Sequence, residues 1–237
     1  MLSAWSRSGF LPAGPDRRRR RLLAALVAPA VAAMPRRALG GAQIYEPMAD
    51  AVRAALAARI ADSSPPQRRI DDITERIEFI DWLNEMSGRL IRQKPDYRER
   101  IEFLRTLDYE ATRAGLDRQL VLGLIQVESN FRKYAISVAG ARGLMQVMPF
   151  WTNVIGDGDP RRLFDMRTNL RYGTVILRHY LDIEQGDLFM ALGRYNGSRG
   201  RREYPDAVLA AWKNRWSYAP SPMDIPADPA AQPRRIG

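Results

Sequence analysis

One acidic residue, Glu128, stands in the apolar run that ends the segment 117–128. If this segment is helical, Glu128 lies about 20° around the axis from Val121 and about 40° from Leu124, because a helix turns by about 100° per residue. The carboxyl group then projects from the apolar face, near the C-terminal end of the helix. Burial raises the pKa of a carboxyl group, and a helix C-terminus disfavours negative charge. A glutamate placed in this way suits general acid catalysis near neutral pH, although a glutamate at the rim of a core shows the same periodicity.

The segment that follows Glu128 carries the residue types of a ligand groove. Ser137 and Gln146 offer hydrogen-bonding side chains, and Gly140 and Gly143 allow close approach of the backbone. These features favour the catalytic interpretation of Glu128 over the purely structural one.

The residue types that are missing exclude several other chemistries. The chain has no cysteine, which excludes disulfides, thiolate nucleophiles and cysteine-bound zinc or iron–sulfur sites. His179 is the only histidine, so a histidine-rich metal site is impossible and a Ser-His-Asp triad would depend on this one residue. We assign no role to His179 and expect neither a metal nor an organic cofactor.

The net charge of +10 suggests nucleic-acid binding, but the distribution of the charge argues against it. Residues 1–42 hold eight arginines and a single acid, Asp16, whereas the rest of the chain carries 29 basic and 26 acidic side chains. A protein that binds DNA or RNA keeps its basic patch in the folded part. We therefore expect no nucleic-acid partner.

The basic N-terminus has the order of an export signal. Five consecutive arginines precede the apolar stretch 22–33, which ends in small residues. As a helix this stretch spans only about 18 Å, too short to cross a bilayer comfortably. We predict an export leader over residues 1–42, cleaved after Ala32, Ala33 or Ala42, and a periplasmic or cell-wall-associated protein. The alternative is a basic N-terminal helix on a cytoplasmic protein.

Most of the chain has helical periodicity. Apolar stripes, caps and stop signals predict helices that begin near Met48, Ile70, Tyr97, Asp117, Asn169, Asp187 and Pro205. Sustained strand alternation is absent, and a small hairpin fits only into residues 134–143. The predicted fold class is mainly α, a helical bundle around a substrate groove with at most a small β-hairpin.

Three blocks of the sequence together resemble the soluble lytic transglycosylases, a family related to goose-type lysozyme. The blocks are ESNFRKYAISVAGARGLMQVMP at 128–149, Asn169 with Gly173 and Tyr180-Leu181, and ALGRYNG at 191–197. They stand in the order of the family, and the resemblance covers about residues 105–213, roughly half of the chain.

The resemblance implies a lysozyme-like fold and a glycan strand of the bacterial cell wall as substrate. It makes Glu128 the single catalytic acid and base at the β-1,4 bond between N-acetylmuramic acid and N-acetylglucosamine. By the same match, the residues that line the groove and hold the sugar are Ser137, Gln146, Met148, Tyr195 and Asn196. The matched blocks offer no second acid, so the substrate's N-acetyl group would assist, the product would be a 1,6-anhydro sugar, and no water would be consumed.

The sequence departs from the family pattern in two places. Arg132 and Lys133 stand where the family often has Asp or Asn followed by Pro, and Gly197-Ser198 stands where it has Ala-Gly. Two alternatives stay open. One is a lysozyme-type hydrolase with a second groove carboxylate that positions water, and the other is a non-catalytic wall-binding protein that kept the fold.

Together these patterns predict four parts. The export leader over 1–42 precedes a helical extension over 43–96, a catalytic domain over 97–216 and a tail over 217–237. The tail has five prolines and is expected to be disordered. The extension is a candidate site for a cell-envelope protein partner, and we expect the protein to be a monomer.

Overall fold

The structure, a computed structural model, describes residues 43–62 and 70–219, and these residues are mostly helical. Within them the α-helices are α1 (Asp50–Ala61), α2 (Ile73–Leu90), α3 (Tyr97–Arg113), α4 (Arg118–Glu128), α5 (Phe150–Ile155), α6 (Met166–Ile183), α7 (Leu188–Asn196) and α8 (Glu203–Ala211). A 3₁₀ helix, Pro160–Phe164, precedes α6, and a π-helical turn, Trp212–Trp216, follows α8. The predicted class, mainly α and lysozyme-like, is confirmed.

Extended pairing in the described residues is limited to two isolated antiparallel bridges. Ile136 pairs with Arg142, and Arg142 pairs with Val147. The predicted hairpin over 134–143 is therefore present only as a loop that folds back on itself. This agrees with the prediction of at most a small β element.

Helix α4 lies at the centre of the packing. It contacts α3, α8 and the π-helical turn. A Cβ atom on Gly123 of α4 would lie 2.9 Å from the backbone nitrogen of Trp212, so only glycine permits this close approach. This close approach brings α4 against the π-helical turn, and the last residue of α4, Glu128, is buried.

Aromatic side chains fill the space around the C-terminal end of α4. The ring centroid of Phe131 lies 5.9 Å from that of Phe103 and 5.3 Å from that of Trp216, in edge-to-face arrangements. All three side chains are buried. Aromatic pairs of this kind stabilise a core by about 0.5–1.5 kcal/mol beyond the burial of their area.

Helix α2 buries the face that carries Trp82 and Met86 and leaves a stripe of isoleucines, Ile73, Ile77 and Ile80, open to solvent. Trp82 and Met86 are fully buried, whereas Ile73 and Ile80 are 64% and 47% exposed. The indole of Trp82 packs under the guanidinium of Arg118, whose central carbon lies 4.0 Å from the ring centroid. The isoleucine stripe therefore forms an exposed apolar face of α2.

Aspartates begin most of these helices. In five α-helices and in the 3₁₀ helix, the side chain of the aspartate just before the helix accepts a hydrogen bond from a first-turn amide. These residues are Asp72 for α2, Asp96 for α3, Asp117 for α4, Asp165 for α6, Asp187 for α7 and Asp159 for the 3₁₀ helix. This satisfies N–H groups that a helix N-terminus leaves unpaired. The helix starts predicted near Asp117 and Asp187 are confirmed.

The predicted export leader and most of the predicted proline-rich tail lie outside the described residues. Within the described part, no helix combines the length and the apolar character that a membrane span requires. The predicted division at residues 96 and 97 stays a prediction, although α2 and α3 contact each other and share one hydrophobic cluster.

Candidate active site

Glu128 is the last residue of α4, and its side chain is completely buried. Val121 and Leu124 on the same face of the helix are also buried. The periodicity thus placed Glu128 correctly on the inner face, and the alternative of a glutamate at the rim of the core does not apply. A buried carboxyl group needs a hydrogen-bonding partner, because desolvation without one is expensive.

Tyr204 of α8 supplies that partner. Its hydroxyl donates to Oε1 of Glu128 over 2.6 Å, and both side chains are buried. Burial, with the neighbouring charge of Glu128 and the hydrogen bond to it, raises the pKa of Tyr204 well above its usual value. The phenol therefore keeps its proton near neutral pH and remains a donor. Sequence reasoning missed Tyr204, because a tyrosine at the start of a short helix 76 residues after the acid carries no periodic signal.

The other buried carboxylates of the described residues have a different environment. Asp108 forms an ion pair with Arg118 over 2.7 Å, and Glu110 forms one with Arg171 over 3.0 Å. These ion pairs fix the two carboxylates in the core. Glu128 accepts a hydrogen bond from a phenol, and an acid and base catalyst must give up a proton and take one back.

The loop after α4 is tied to the helix end through Ser129. The Ser129 hydroxyl donates to the carbonyl of Leu144 over 2.7 Å. From the other side, Asn169 of α6 accepts from the amide of Met145 over 2.8 Å and donates to the carbonyls of Arg142 and Leu163. The hydrogen bonds of Ser129 and Asn169 therefore fix the loop relative to Glu128.

Glycines in the same loop make this fit possible. A Cβ on Gly143, which has a φ of +77°, would lie 2.3 Å from the Asn169 amide nitrogen and 2.4 Å from the Leu163 carbonyl oxygen. On α6, a Cβ of Gly173 would lie 2.3 Å from the sulfur of Met145. Both glycines are therefore required by close packing between the loop and α6.

The backbone just beyond Glu128 adopts a left-handed conformation at two successive residues. Asn130 has a φ of 48° and Phe131 a φ of 65°. For a bulky residue this costs roughly 1–2 kcal/mol, and burial of the Phe131 ring offsets it. The sharp turn carries the chain away from Glu128 directly after the helix ends.

The predicted groove residues Gln146 and Tyr195 are both buried close to this loop. The Gln146 amide donates to the carbonyls of Ala135 and Gly143 over 3.1 and 2.8 Å, and the Tyr195 hydroxyl donates to the carbonyl of Met145 over 2.7 Å. Burial and the charge of Glu128 raise the pKa of Tyr195 well above its usual value. The Oε1 atom of Gln146 is buried and has no hydrogen-bond donor among the described residues.

The remaining predicted groove residues are held locally. Ser137 accepts from the amide of Ala141 over 3.0 Å within its own turn, and Asn196 donates to the Ser198 hydroxyl over 3.0 Å. The amide of Met148 donates to the side chain of Gln43 over 3.1 Å. The Oδ1 atom of Asn196, like Oε1 of Gln146, is a buried acceptor with no donor in the described part of the chain.

Comparison with known proteins identifies the family that this part of the chain resembles. A family model described as the transglycosylase SLT domain matches residues 105–207, a range that contains Glu128, Asn169, Tyr195 and Tyr204. This part of the chain is a transglycosylase SLT domain. The SLT domain runs from within α3 into α8, so α1, α2 and the first half of α3 lie outside the match.

Curated relatives of the SLT domain agree with the family model. The chain is 32% identical over 156 residues to membrane-bound lytic murein transglycosylase C of Haemophilus influenzae strain PittEE, over 60% of this chain and 42% of that protein. It is 34% identical over 119 residues to the protein of the same name from Histophilus somni strain 2336, over 44% of this chain and 31% of that protein. A transglycosylase of Enterobacteria phage PRD1 is 30% identical over 116 residues, over 46% of this chain and 42% of the phage protein. The chain thus spans less than half the length of these relatives.

Proposed function

We propose that the protein is a peptidoglycan lytic transglycosylase. It cleaves the β-1,4 bond between N-acetylmuramic acid and N-acetylglucosamine without water and leaves a 1,6-anhydromuramyl end. One observation carries the proposal: in an SLT domain, the buried carboxyl group of Glu128 accepts a hydrogen bond from a neutral tyrosine, Tyr204. The names of the relatives, among them lytic murein transglycosylases, support the same substrate.

In the proposed reaction Glu128 acts twice. It first protonates the glycosidic oxygen, and the bond between that oxygen and C1 of the muramyl residue breaks. The substrate's own N-acetyl group stabilises the positive charge that develops at C1. Glu128, now a carboxylate, takes the proton of the muramyl 6-hydroxyl while that oxygen bonds to C1. The proton returns to Glu128, and no water enters the product.

Tyr204 assists both halves of this cycle. When Glu128 gives up its proton, negative charge develops on a carboxylate that is removed from solvent. The Tyr204 hydroxyl, 2.6 Å away, is already oriented toward Oε1 and stabilises this charge without reorganisation. Tyr204 therefore acts as a positioning residue for Glu128.

The acids around the loop favour a transglycosylase over a hydrolase. A lysozyme-type hydrolase pairs its acid with a second carboxylate that acts as a base or nucleophile. The aspartates nearest in sequence to the groove segments, Asp159, Asp165 and Asp187, accept from helix N-terminal amides, and Asp157 pairs with Arg162. These carboxylates are already engaged as caps and surface ion pairs.

Two buried acceptors offer places for the sugar. Oε1 of Gln146 and Oδ1 of Asn196 are hydrogen-bond acceptors, and a glycan supplies matching donors from its hydroxyl groups and its acetamido N–H. Ser137, Met148 and Tyr195 complete the set that we propose to line the groove. No metal or organic cofactor takes part in this scheme.

We further propose that the protein acts in the cell envelope as a monomer. The relatives from Haemophilus influenzae and Histophilus somni are named as membrane-bound enzymes, and the proposed export leader is compatible with an envelope location. The exposed isoleucine face of α2, in the proposed extension over 43–96, is the candidate surface for an envelope protein partner. Ile73 and Ile80 on this face are large apolar side chains open to solvent.

The proposed function is tested by digesting purified peptidoglycan with the full chain and weighing the products by mass spectrometry. Wild type is expected to release anhydromuramyl products, and Glu128→Gln to release none, because the amide cannot donate the required proton. Glu203→Gln is the matched control, since it changes an exposed acid next to Tyr204. Reducing-end products would identify a hydrolase, and binding of peptidoglycan without any product would identify a wall-binding protein.

A further inference from the structure

The segment before α1 lies against the residues of the proposed groove. Gln43 is only 3% exposed, and its Oε1 accepts from the amide of Met148 over 3.1 Å. Its Nε2 lies 3.5 Å from the carbonyl oxygen of Gln146. Its amide also reaches the Tyr195 phenol, where it lowers the tyrosine's pKa against the larger upward effect of burial. Gln43 thus contacts three of the five residues that we propose to hold the sugar.

Two neighbouring side chains fix the same segment to the groove walls. The ring of Tyr45 packs edge to face on Phe150, with 5.8 Å between the centroids. Both carboxylate oxygens of Glu46 lie 2.5 Å from the Arg194 guanidinium, one residue before Tyr195. The segment therefore spans the region from the start of α5 to the end of α7.

This segment can detach without breaking secondary structure. Among the described residues, 43–48 make no backbone-to-backbone hydrogen bond, and only Ala49 enters the helical pattern of α1. Helix α1 itself packs against α5 and α6. Within the described residues, the segment is thus joined to a seated helix at its C-terminal end and otherwise held by side chains, which is typical of regions that open locally.

The chemistry of Gln43 matches that of the proposed substrate. Its carboxamide presents a carbonyl acceptor and an N–H donor on one planar group, as the acetamido group of an N-acetylated sugar does. The backbone amide of Met148 and the carbonyl of Gln146 receive this group in the structure. Glu128, Gln146 and Tyr195 are each no more than 1% exposed while the segment is in place.

We propose that residues 43–46 form an autoinhibitory strap whose Gln43 carboxamide occupies the place of a substrate acetamido group. The inference rests on the proposed function of the groove. A glycan binds only after the strap has left, and its apparent affinity is reduced by the fraction of molecules in the open state. Weakening the strap therefore increases glycan affinity.

The first test measures binding of chitotetraose, a chain of four β-1,4-linked N-acetylglucosamines, by isothermal titration calorimetry of the full chain. Gln43→Ala removes the carboxamide, and we expect an affinity gain of about tenfold, equivalent to about 1.4 kcal/mol. Glu46→Ala is expected to give a smaller gain. Equal or weaker binding by Gln43→Ala overturns the proposal, since a glutamine that holds the sugar or only the fold gives that result.

The matched control for Glu46→Ala is Glu85→Ala. Glu85 pairs with Arg89 over 2.7 Å on α2, and its side chain is 47% exposed, against 49% for Glu46. Glu85→Ala removes a comparable ion pair outside the groove and is expected to leave chitotetraose affinity unchanged. A gain as large as that of Glu46→Ala would attribute the effect to general charge and overturn the strap.

A second test locks the strap in place. Because the chain has no cysteine, Tyr45→Cys combined with Phe150→Cys introduces the only two thiols, and a cleavable bismaleimide can join them. We expect the joined protein to lose chitotetraose binding and to regain it when the linker is cleaved. Unchanged binding in the joined protein overturns the proposal, whatever the substitutions do to stability.

The strap and the proposed function fail in different ways. If Gln43→Ala binds chitotetraose more tightly but releases no product from peptidoglycan, the strap stands and the transglycosylase fails. If wild type and Gln43→Ala bind and cleave equally well with anhydromuramyl products, the transglycosylase stands and the strap fails.

Discussion

Substituting Tyr204 with phenylalanine tests how the structure controls Glu128. The change removes one hydroxyl and keeps the ring that fills the core. The lost hydrogen bond, at 2.6 Å, is short and points to a buried carboxyl group. Loss of a hydrogen bond to a charged partner costs about 1.5–3 kcal/mol, which corresponds to about a 10- to 150-fold fall in rate. Since the charge develops in the transition state, we expect kcat to fall and KM to change little.

The assay is the release of soluble muropeptides from peptidoglycan as a function of pH. In Tyr204→Phe, the limb of the profile on which Glu128 loses its proton should move to higher pH, because a donor to the charged form has been removed. Tyr172→Phe is the control. Burial raises the pKa of Tyr172 to about 12, as it raises that of Tyr204, but the charged neighbours of Tyr172 are Asp157 and Arg162 rather than Glu128. Similar rates and an unmoved pH profile in both variants would show that Tyr204 only fills space, and would refute the reasoning.

Three further predictions concern the frame of the site. Gly143→Ala should lower the free energy of unfolding in urea much more than Gly140→Ala, because both have positive φ but only the former meets neighbouring atoms; equal losses would contradict this packing argument. Asn169→Ala should cost about 3 kcal/mol or more in the same measurement, since three backbone groups lose their partner, whereas Asn169→Asp keeps the acceptor and should cost less. Arginines, chiefly Arg199, lower the pKa of Glu184 from 4.5 to about 2. Their stabilisation of the fold is therefore complete above pH 4.5 and is lost as the pH falls through about 2. Glu184→Gln should flatten the dependence of the free energy of unfolding on pH in that range, and an unchanged slope would contradict this.

The sequence predicted the position of Glu128 well, because a helix of 11 residues has enough turns to define an apolar face. The helix start at Asp117 followed from an equally local rule, because an aspartate before an apolar run caps a helix. The short helix α5 and the 3₁₀ helix were not predicted, since five or six residues do not show a period.

The isoleucine stripe of α2 shows a different limit of sequence reasoning. Periodicity indicates that Ile73, Ile77 and Ile80 share a face, but two apolar faces compete on this helix. The face with Trp82 and Met86 is the one that is buried, as expected where the larger aromatic side chain gains most from burial, and the isoleucines stay exposed.

Contacts between residues far apart in the chain were beyond any local pattern. Tyr204 reaches Glu128 across 76 residues, and Gln43 reaches Met148 across 105 residues. No spacing rule joins such pairs, because only the packing of α8 and of the strap against the loop brings them together. The family resemblance supplied Gln146 and Tyr195, but not the carboxamide that contacts them.

The central claim, that Glu128 alone cleaves the glycan and that water takes no part, is tested most directly by isotope incorporation. Peptidoglycan is digested by the full chain in water enriched in heavy oxygen, and the muramyl ends are analysed by mass spectrometry. We expect ends that carry no heavy oxygen in wild type and no cleavage in Glu128→Gln. Heavy oxygen at C1 of the muramyl ends would show that water attacks that carbon, and would contradict the account.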